Sequence, residues 1–326
     1  MAQQTPELLI AYDGSPSAAT ALRVAAGLLP GARASIATVP AKPTIQIGTA
    51  GAVLPGVAPD VAQRALQELA AEARRQAAET AEEAAEQAHA LGLAADPVTV
   101  GPSVPAWAAL LDTARHLGID LLVCGSRGRG AFARALLGST SSSLLHHTDV
   151  PLLVVPDGGG AVDGPVAVAY DGSEGATRAI ETVGRLLPGR ATVVVHAWEP
   201  LAQRTLASRA LAAEAAIDRL VEAVADLHAA LEESAVATTQ SGLAAARAVG
   251  LDAVADTVEA DGGAWRAVAA AAREHGASVI AMGTRGLGAA RSVLFGSVSS
   301  GLVQNAELPV LVVPGERGGA TADDDS

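Results

Sequence analysis

Short apolar runs alternate with longer stretches of helical pattern along this chain, and the alternation is written twice. Leu8–Tyr12 reads as a strand, Ser15-Pro16 as a helix cap with proline at the first helical position, and the helix runs to about Leu29, stopped by Pro30-Gly31. Ala34–Val39 is the second strand, Pro40 to Pro59 a loop, and Asp60 to Leu91 a long helix rich in Ala, Glu, Gln and Arg that ends at Gly92. Pro97–Val100, Asp120–Cys124 and Pro151–Val155 are the third, fourth and fifth strands. Helices fall over Ala106–Leu117 and from Gly138 to His147. A parallel set of strands follows at Val166–Tyr170, Thr192–Ala197, Ala255–Val258, Ser278–Met282 and Pro309–Val313. Strands that alternate with helices predict an α/β layer structure with a mostly parallel sheet.

The two series are copies. Tyr12-Asp13-Gly14-Ser15 recurs as Tyr170-Asp171-Gly172-Ser173, Leu28–Gly31 as Leu186–Gly189, Trp107 as Trp265, Gly125 as Gly283 and Pro151 as Pro309, each pair 158 residues apart. A constant offset means little net insertion, so this is a duplicated domain. Residues 1–157 form the first, 163–315 the second, and the Gly-rich stretch Asp157–Gly164 reads as the linker. The polar, acidic tail 316–326 is expected to be disordered.

Composition narrows the class. Half of the 326 residues are hydrophobic but aromatics are only 2 %, so the cores must be built from Ala, Val, Leu and Ile. No apolar run approaches the ~20 residues of a membrane span, and the N-terminus shows no secretory pattern; both point to a cytoplasmic protein. Cys124 is the single cysteine, which excludes an intrachain disulfide and a cysteine metal cluster. The net charge of −13 argues against a broad nucleic-acid face. The seven histidines are scattered without zinc-ligand spacing and read as structural or surface residues.

Two turns that follow strands carry unusual residues. Asp13-Gly14-Ser15 follows the first strand. After the fourth, Gly125–Ser139 reads GSRGRGAFARALLGS, and its copy Gly283–Ser297 reads GTRGLGAARSVLFGS. Glycines where a strand hands over to a helix let backbone N–H groups face a phosphate closely. Lys42 is the only lysine, and neither motif ends in Gly-Lys-Ser/Thr, so this is not a Walker-type loop. In parallel sheets ligands bind at the carboxyl ends of strands, where the strand order reverses.

A strand ending in Asp-Gly-Ser, then Gly-x2-Gly-x9-Gly-Ser after the fourth strand, then Val-Pro and an apolar fifth strand, together resemble the universal stress protein family in its tandem form, over Leu8–Pro314. The resemblance implies two doubly wound, Rossmann-like domains, each a five-stranded parallel sheet of order 3-2-1-4-5 with helices on both faces. It also implies ATP binding, one molecule per repeat, in a nucleotide-dependent sensor or regulator of the stress response. Gly125, Gly128, Gly138 and Ser139 match the family motif in the first repeat, and Gly283, Gly286, Gly296 and Ser297 in the second; the implied role is contact with the triphosphate. Thr140 and Ser141, and Val298 and Ser299, continue the helix start. Asp13 and Asp171 match the aspartate implied to lie near ribose or adenine. Val39 and Ala197 fall where the family places the base, with Cys124 and Met282 just before the loops. Arg127 and Arg285 share one motif position and are candidates for screening phosphate charge; Arg129 and Arg291 are weaker ones.

The resemblance makes magnesium a companion of the triphosphate, although the sequence shows no dedicated carboxylate cage. It also implies that the fifth strands, PLLVV and PVLVV, pair the repeats into an intramolecular pseudo-dimer, and it leaves open further homodimerisation and an unknown protein partner. No nucleophile elbow or nucleophile–base pair is legible, so hydrolysis is expected to be weak or absent. Two alternatives stand beside this reading. One is a slow ATPase or nucleotide-handling enzyme on the same fold; a nucleotidyl transferase would carry His-x-Gly-His where this chain has Asp13-Gly14-Ser15. The other is a non-binding interaction scaffold.

Overall fold

A computed structural model describes residues 5–41, 59–101, 105–128, 137–200, 214–284 and 296–315. The expected loop over Pro40–Pro59 lies mostly outside these residues, and the 316–326 tail entirely so. The chain divides at Gly159/Gly160 into two compact units.

The first unit runs β1 (Glu7–Ala11), α1 (Pro16–Leu28), β2 (Arg33–Thr38), α2 (Pro59–Ala90), β3 (Ala94–Thr99), α3 (Ala106–Leu117), β4 (Leu121–Gly125), α4 (Ser139–His147) and β5 (Leu152–Val155). Every strand pairs in parallel, in the order β3-β2-β1-β4-β5. The chain therefore reverses direction across the sheet between β1 and β4. The second unit runs β6 (Val166–Ala169), α5 (Glu174–Leu186), β7 (Thr192–Trp198), α6 (Glu214–Ala248), β8 (Ala253–Glu259), α7 (Ala264–Glu274), β9 (Val279–Gly283), α8 (Ser297–Asn305) and β10 (Val310–Val313). Its order, β8-β7-β6-β9-β10, repeats the first.

Four strands are buried throughout: β4, β5, β9 and β10. A parallel sheet covered on both sides reads as unbroken apolar runs rather than alternation, which is why these strands stood out in the sequence. In the first unit α1 packs with α2 and α3 with α4, giving the two helical layers. Ser15 caps α1 by accepting from Ala18 N at 3.2 Å, and Ser173 caps α5 by accepting from Ala176 N at 3.2 Å. Gly118 ends α3 in the left-handed conformation that favours glycine.

The long helices bury a stripe of small residues. Ala77, Ala81, Ala84 and Ala88 of α2 are fully or nearly fully buried, and their α6 counterparts are Ala235, Thr239, Gly242 and Ala246. The third strands depart from expectation. β3 starts at Ala94, not Pro97, and β8 at Ala253, not Ala255. Pro97 sits within β3 opposite Ile36. It is tolerated there because β3 is the outer strand of its unit, and a residue without an N–H can face the unpaired side. β7 also runs beyond Ala197 to Trp198, whose carbonyl accepts from Ala260 N at 2.8 Å while its buried ring lies 5.2 Å from that of His228.

One pair of matched positions packs differently. Trp107 stacks on His147, with ring centroids 4.1 Å apart and planes 23° apart. In the second unit the residue matching His147 is Asn305. Trp265 lies so close to Gly301 that a Cβ there would fall 2.4 Å from its Cγ, and the Arg266 guanidinium sits 4.9 Å from the ring centroid.

Candidate functional site

At the point where the strand order reverses in the first unit, the carboxyl ends of β1, β2 and β4 and the start of α4 open onto a cleft of about 480 Å³. Asp13, Val39, Cys124, Gly125, Arg127 and Gly128 line it, together with Gly138, Ser139, Thr140 and Ser141. All ten candidate residues of the first repeat therefore meet in one place.

The glycine loop lies against the start of α1 for a steric reason. A Cβ on Gly125 would fall 2.5 Å from Ser17 Oγ and 2.9 Å from the Ser17 carbonyl carbon. A Cβ on Gly128 would fall 2.9 Å from Asp13 Oδ2. Only residues without a side chain allow this approach. Backbone bonds then fix both ends of the loop: Ser126 N donates to Val155 O at 2.7 Å, and Gly138 N donates to Ser126 O at 2.8 Å. The Ser17 hydroxyl accepts from Arg127 N at 3.3 Å.

Asp13 stands in an Asx turn, Oδ1 accepting from Ser15 N at 3.0 Å, which turns Oδ2 toward Gly128. Gly138 is the N-cap of α4 and gives no side-chain cap, so the first N–H groups of that helix lack an intrahelical acceptor. The Ser141 hydroxyl is committed elsewhere: it donates to Gly125 O at 2.8 Å, bracing the end of β4 from beneath. Burial pushes the Cys124 thiol up to about 12, against a lowering contribution from its hydrogen bond with Ser141. Cys124 is thus a neutral, apolar part of the wall. The arrangement offers amide donors and a helix N-terminus at one end and apolar surface at the other. That suits a ligand with an anionic group joined to a flat apolar one.

Sequence reasoning missed several residues here. Ala37, Ala106 and Leu110 complete the apolar wall; the i, i+4 spacing of Ala106 and Leu110 at the start of α3 was the available signal. Ser17 carried no such signal. Neither did Asp157, whose Oδ2 accepts from Arg127 Nη1 at 2.8 Å.

The second unit repeats the framework where it is described. Asp171 Oδ1 accepts from Ser173 N at 3.0 Å, Gly296 N donates to Thr284 O at 3.1 Å, and Ser299 Oγ donates to Gly283 O at 3.0 Å. Met282 is buried in β9, Ala197 lies within β7, and Ser297 and Val298 open α8. A Cβ on Gly283 would fall 2.6 Å from the carbonyl carbon of Gly175, so here backbone meets backbone. Arg285 and Gly286 lie outside the described residues, as do Arg129 and Arg291. Among the described residues no group of three or more His, Cys, Asp or Glu side chains could hold a metal ion, and no helix is long and apolar enough to cross a membrane.

A doubly wound parallel sheet whose strand order reverses at its centre defines an α/β domain of the Rossmann-like class, here present twice. The chain belongs to the universal stress protein family, whose model matches residues 6–156 and again 164–314. It is 32 % identical over 200 residues to a universal stress protein of Mycolicibacterium smegmatis, covering 60 % of this chain and 61 % of that one. A universal stress protein of Mycobacterium bovis is 30 % identical over 202 residues, covering 59 % and 61 %. The matched stretch thus spans about three fifths of these relatives' length. Among solved structures, a universal stress protein from Archaeoglobus fulgidus superposes with a TM-score of 0.58 at 20 % identity, covering 95 % of this chain and 99 % of that one; at that identity the likeness speaks for the fold.

Proposed function

We propose that the chain binds ATP, one molecule in each repeat, and works as a nucleotide-dependent regulator of the stress response rather than as a catalyst. The observation that carries the reading is the first repeat's cleft, where the loop glycines, the start of α4, Asp13 and an apolar wall converge. The residues fit the nucleotide. Amides of the Gly125–Gly128 turn and of Ser139 and Thr140 would hold phosphate oxygens, with the N-terminus of α4 favouring negative charge. Arg127 would balance part of that charge. The Asp13 carboxylate would accept from ribose hydroxyls, and Ala37, Val39, Ala106 and Leu110 would receive the base. Magnesium, where it accompanies the triphosphate, would be held by the phosphates and water rather than by a protein cage. Bound ATP would add charge at the cleft, and the surface around it is what a partner protein would read.

The test is to denature freshly purified protein, identify the released small molecules by mass spectrometry and count them per chain. About two ATP per chain is expected. Gly128→Val drives a side chain into the Asp13 carboxylate and should remove the first-repeat share, leaving about one. A chain that carries no nucleotide and takes up none when ATP is added overturns the reading. A robust steady-state ATPase rate would instead restore the enzyme alternative.

A further inference from the structure

Asp157 stands outside the glycine motif, yet it holds the motif's arginine. Arg127 Nη1 donates to its Oδ2 at 2.8 Å, in a pair whose side chains are 38 % and 46 % exposed. The buried Arg127 Nε has no acceptor among the described residues, so the guanidinium keeps unused donor capacity while it lines the cleft. Asp157 itself lies two residues beyond β5, after Pro156, in the stretch that leads to Gly160, where the second unit begins. There the chain turns: Gly159 N donates to Pro156 O at 2.9 Å. A Cβ on Gly159 would fall 3.1 Å from the Thr20 methyl of α1, so this turn lies on the first unit.

The second repeat is the built-in comparison. At the 158-residue offset, Asp157 corresponds to Gly315 and Ser17 to Gly175, while Arg127 corresponds to another arginine, Arg285. Both side chains that tether the first loop are therefore glycine at the matched positions of the second.

We propose that Asp157 is an internal competitor for phosphate at the first cleft: an entering polyphosphate takes the Arg127 guanidinium from it, and loss of the ion pair releases the turn at Pro156–Gly159. The proposal rests on the nucleotide reading above. An exposed ion pair is weak, so the exchange costs little. A triphosphate offers several charged oxygens to a planar guanidinium, against one carboxylate. Asp157 is thus a positioning residue. It sets the affinity of the first site for ligand charge and couples occupancy to the segment between the units.

The experiment titrates the full chain and its D157N and D157E variants with ATP, ADP and adenosine, and follows amide exchange at Gly158–Gly160 with and without ATP. The second site keeps Gly315 in every variant, so differences between variants report on the first. D157N should bind ATP about two- to fivefold more tightly, from the worth of an exposed ion pair, ADP less so, and adenosine unchanged. D157E, which keeps the charge, should behave as the parent. ATP should speed exchange at Gly159 in the parent, and in D157N exchange should be fast already. Weaker ATP binding by D157N would show that the carboxylate aims Arg127 at the ligand, and overturns the proposal. Equal affinities with unchanged exchange overturn it too, while leaving the nucleotide reading intact. If the parent and D157N take up neither ATP nor adenosine, the nucleotide reading fails and this proposal with it.

Discussion

Cys124 is the residue whose chemistry the fold changes most. Free in solution its thiol would titrate near 9.0, and burial in β4 raises it to about 12. Between those values the unfolded chain gives up the proton and the folded chain keeps it. The stability that the neutral thiol represents is fully present below pH 9. It is lost as pH rises toward 12, with a slope of up to about 1.4 kcal/mol per pH unit. Cys124→Ala should flatten this alkaline loss, read as urea midpoints at pH 8, 9 and 10; equal slopes for the two proteins would refute the assignment. The same scale shows what the sequence could reveal. Gly125 and Gly128 were legible because only glycine permits the approach to Ser17 and Asp13. Ser17 and Asp157 were not, because nothing about an ordinary serine says that it faces a backbone amide 110 residues away, nor about a carboxylate in a glycine-rich stretch that it faces a guanidinium 30 residues away. Ser141 was legible as part of the helix start but not as a brace, since its hydroxyl donates backwards to Gly125 O.

At the scale of elements, the apolar central strands and the capped helices were readable from local chemistry alone. The outer strands β3 and β8 were misjudged at their starts because few of their residues are buried and Pro97 breaks the expected pattern in β3. The long helices show how packing overrides propensity. Gly242 is a poor helix former, yet a Cβ there would fall 2.6 Å from Tyr170 Cδ1 and 2.8 Å from Val194 Cγ1. Gly242→Ala should therefore lower stability by about 1–2 kcal/mol even though alanine is favoured in a helix by about 1 kcal/mol. Its matched position, Ala84, is fully buried. Ala84→Gly should also destabilise, by about 1 kcal/mol, through lost helix propensity and a lost methyl contact. Urea unfolding of the two variants measures both. A gain in stability from Gly242→Ala would mean that Tyr170 moves aside at no cost.

For the whole molecule, the 158-residue offset predicted two copies, and each copy has its own five strands in the same order, its own helices and its own buried residues. A fragment ending at Gly159 should therefore fold alone, with the circular dichroism of a mixed helix and strand protein and a cooperative thermal transition. A fragment without such a transition would show that the first core is incomplete by itself. The duplication was legible because insertions are absent between landmarks; the separate fates of the copies were not, because they turn on single replacements such as Asp157 against Gly315. The packing of the matched tryptophans has a consequence in optical terms. The chain holds three tryptophans, and Trp107 alone belongs to the first unit. It lies face to face with an imidazole, whereas Trp265 has a guanidinium near its ring and backbone beside it. Replacing Trp198 and Trp265 by phenylalanine leaves a protein whose entire tryptophan emission comes from one chromophore, next in sequence to the cleft-lining Ala106. Each repeat can thus be given a lamp of its own by removing the tryptophans of the other.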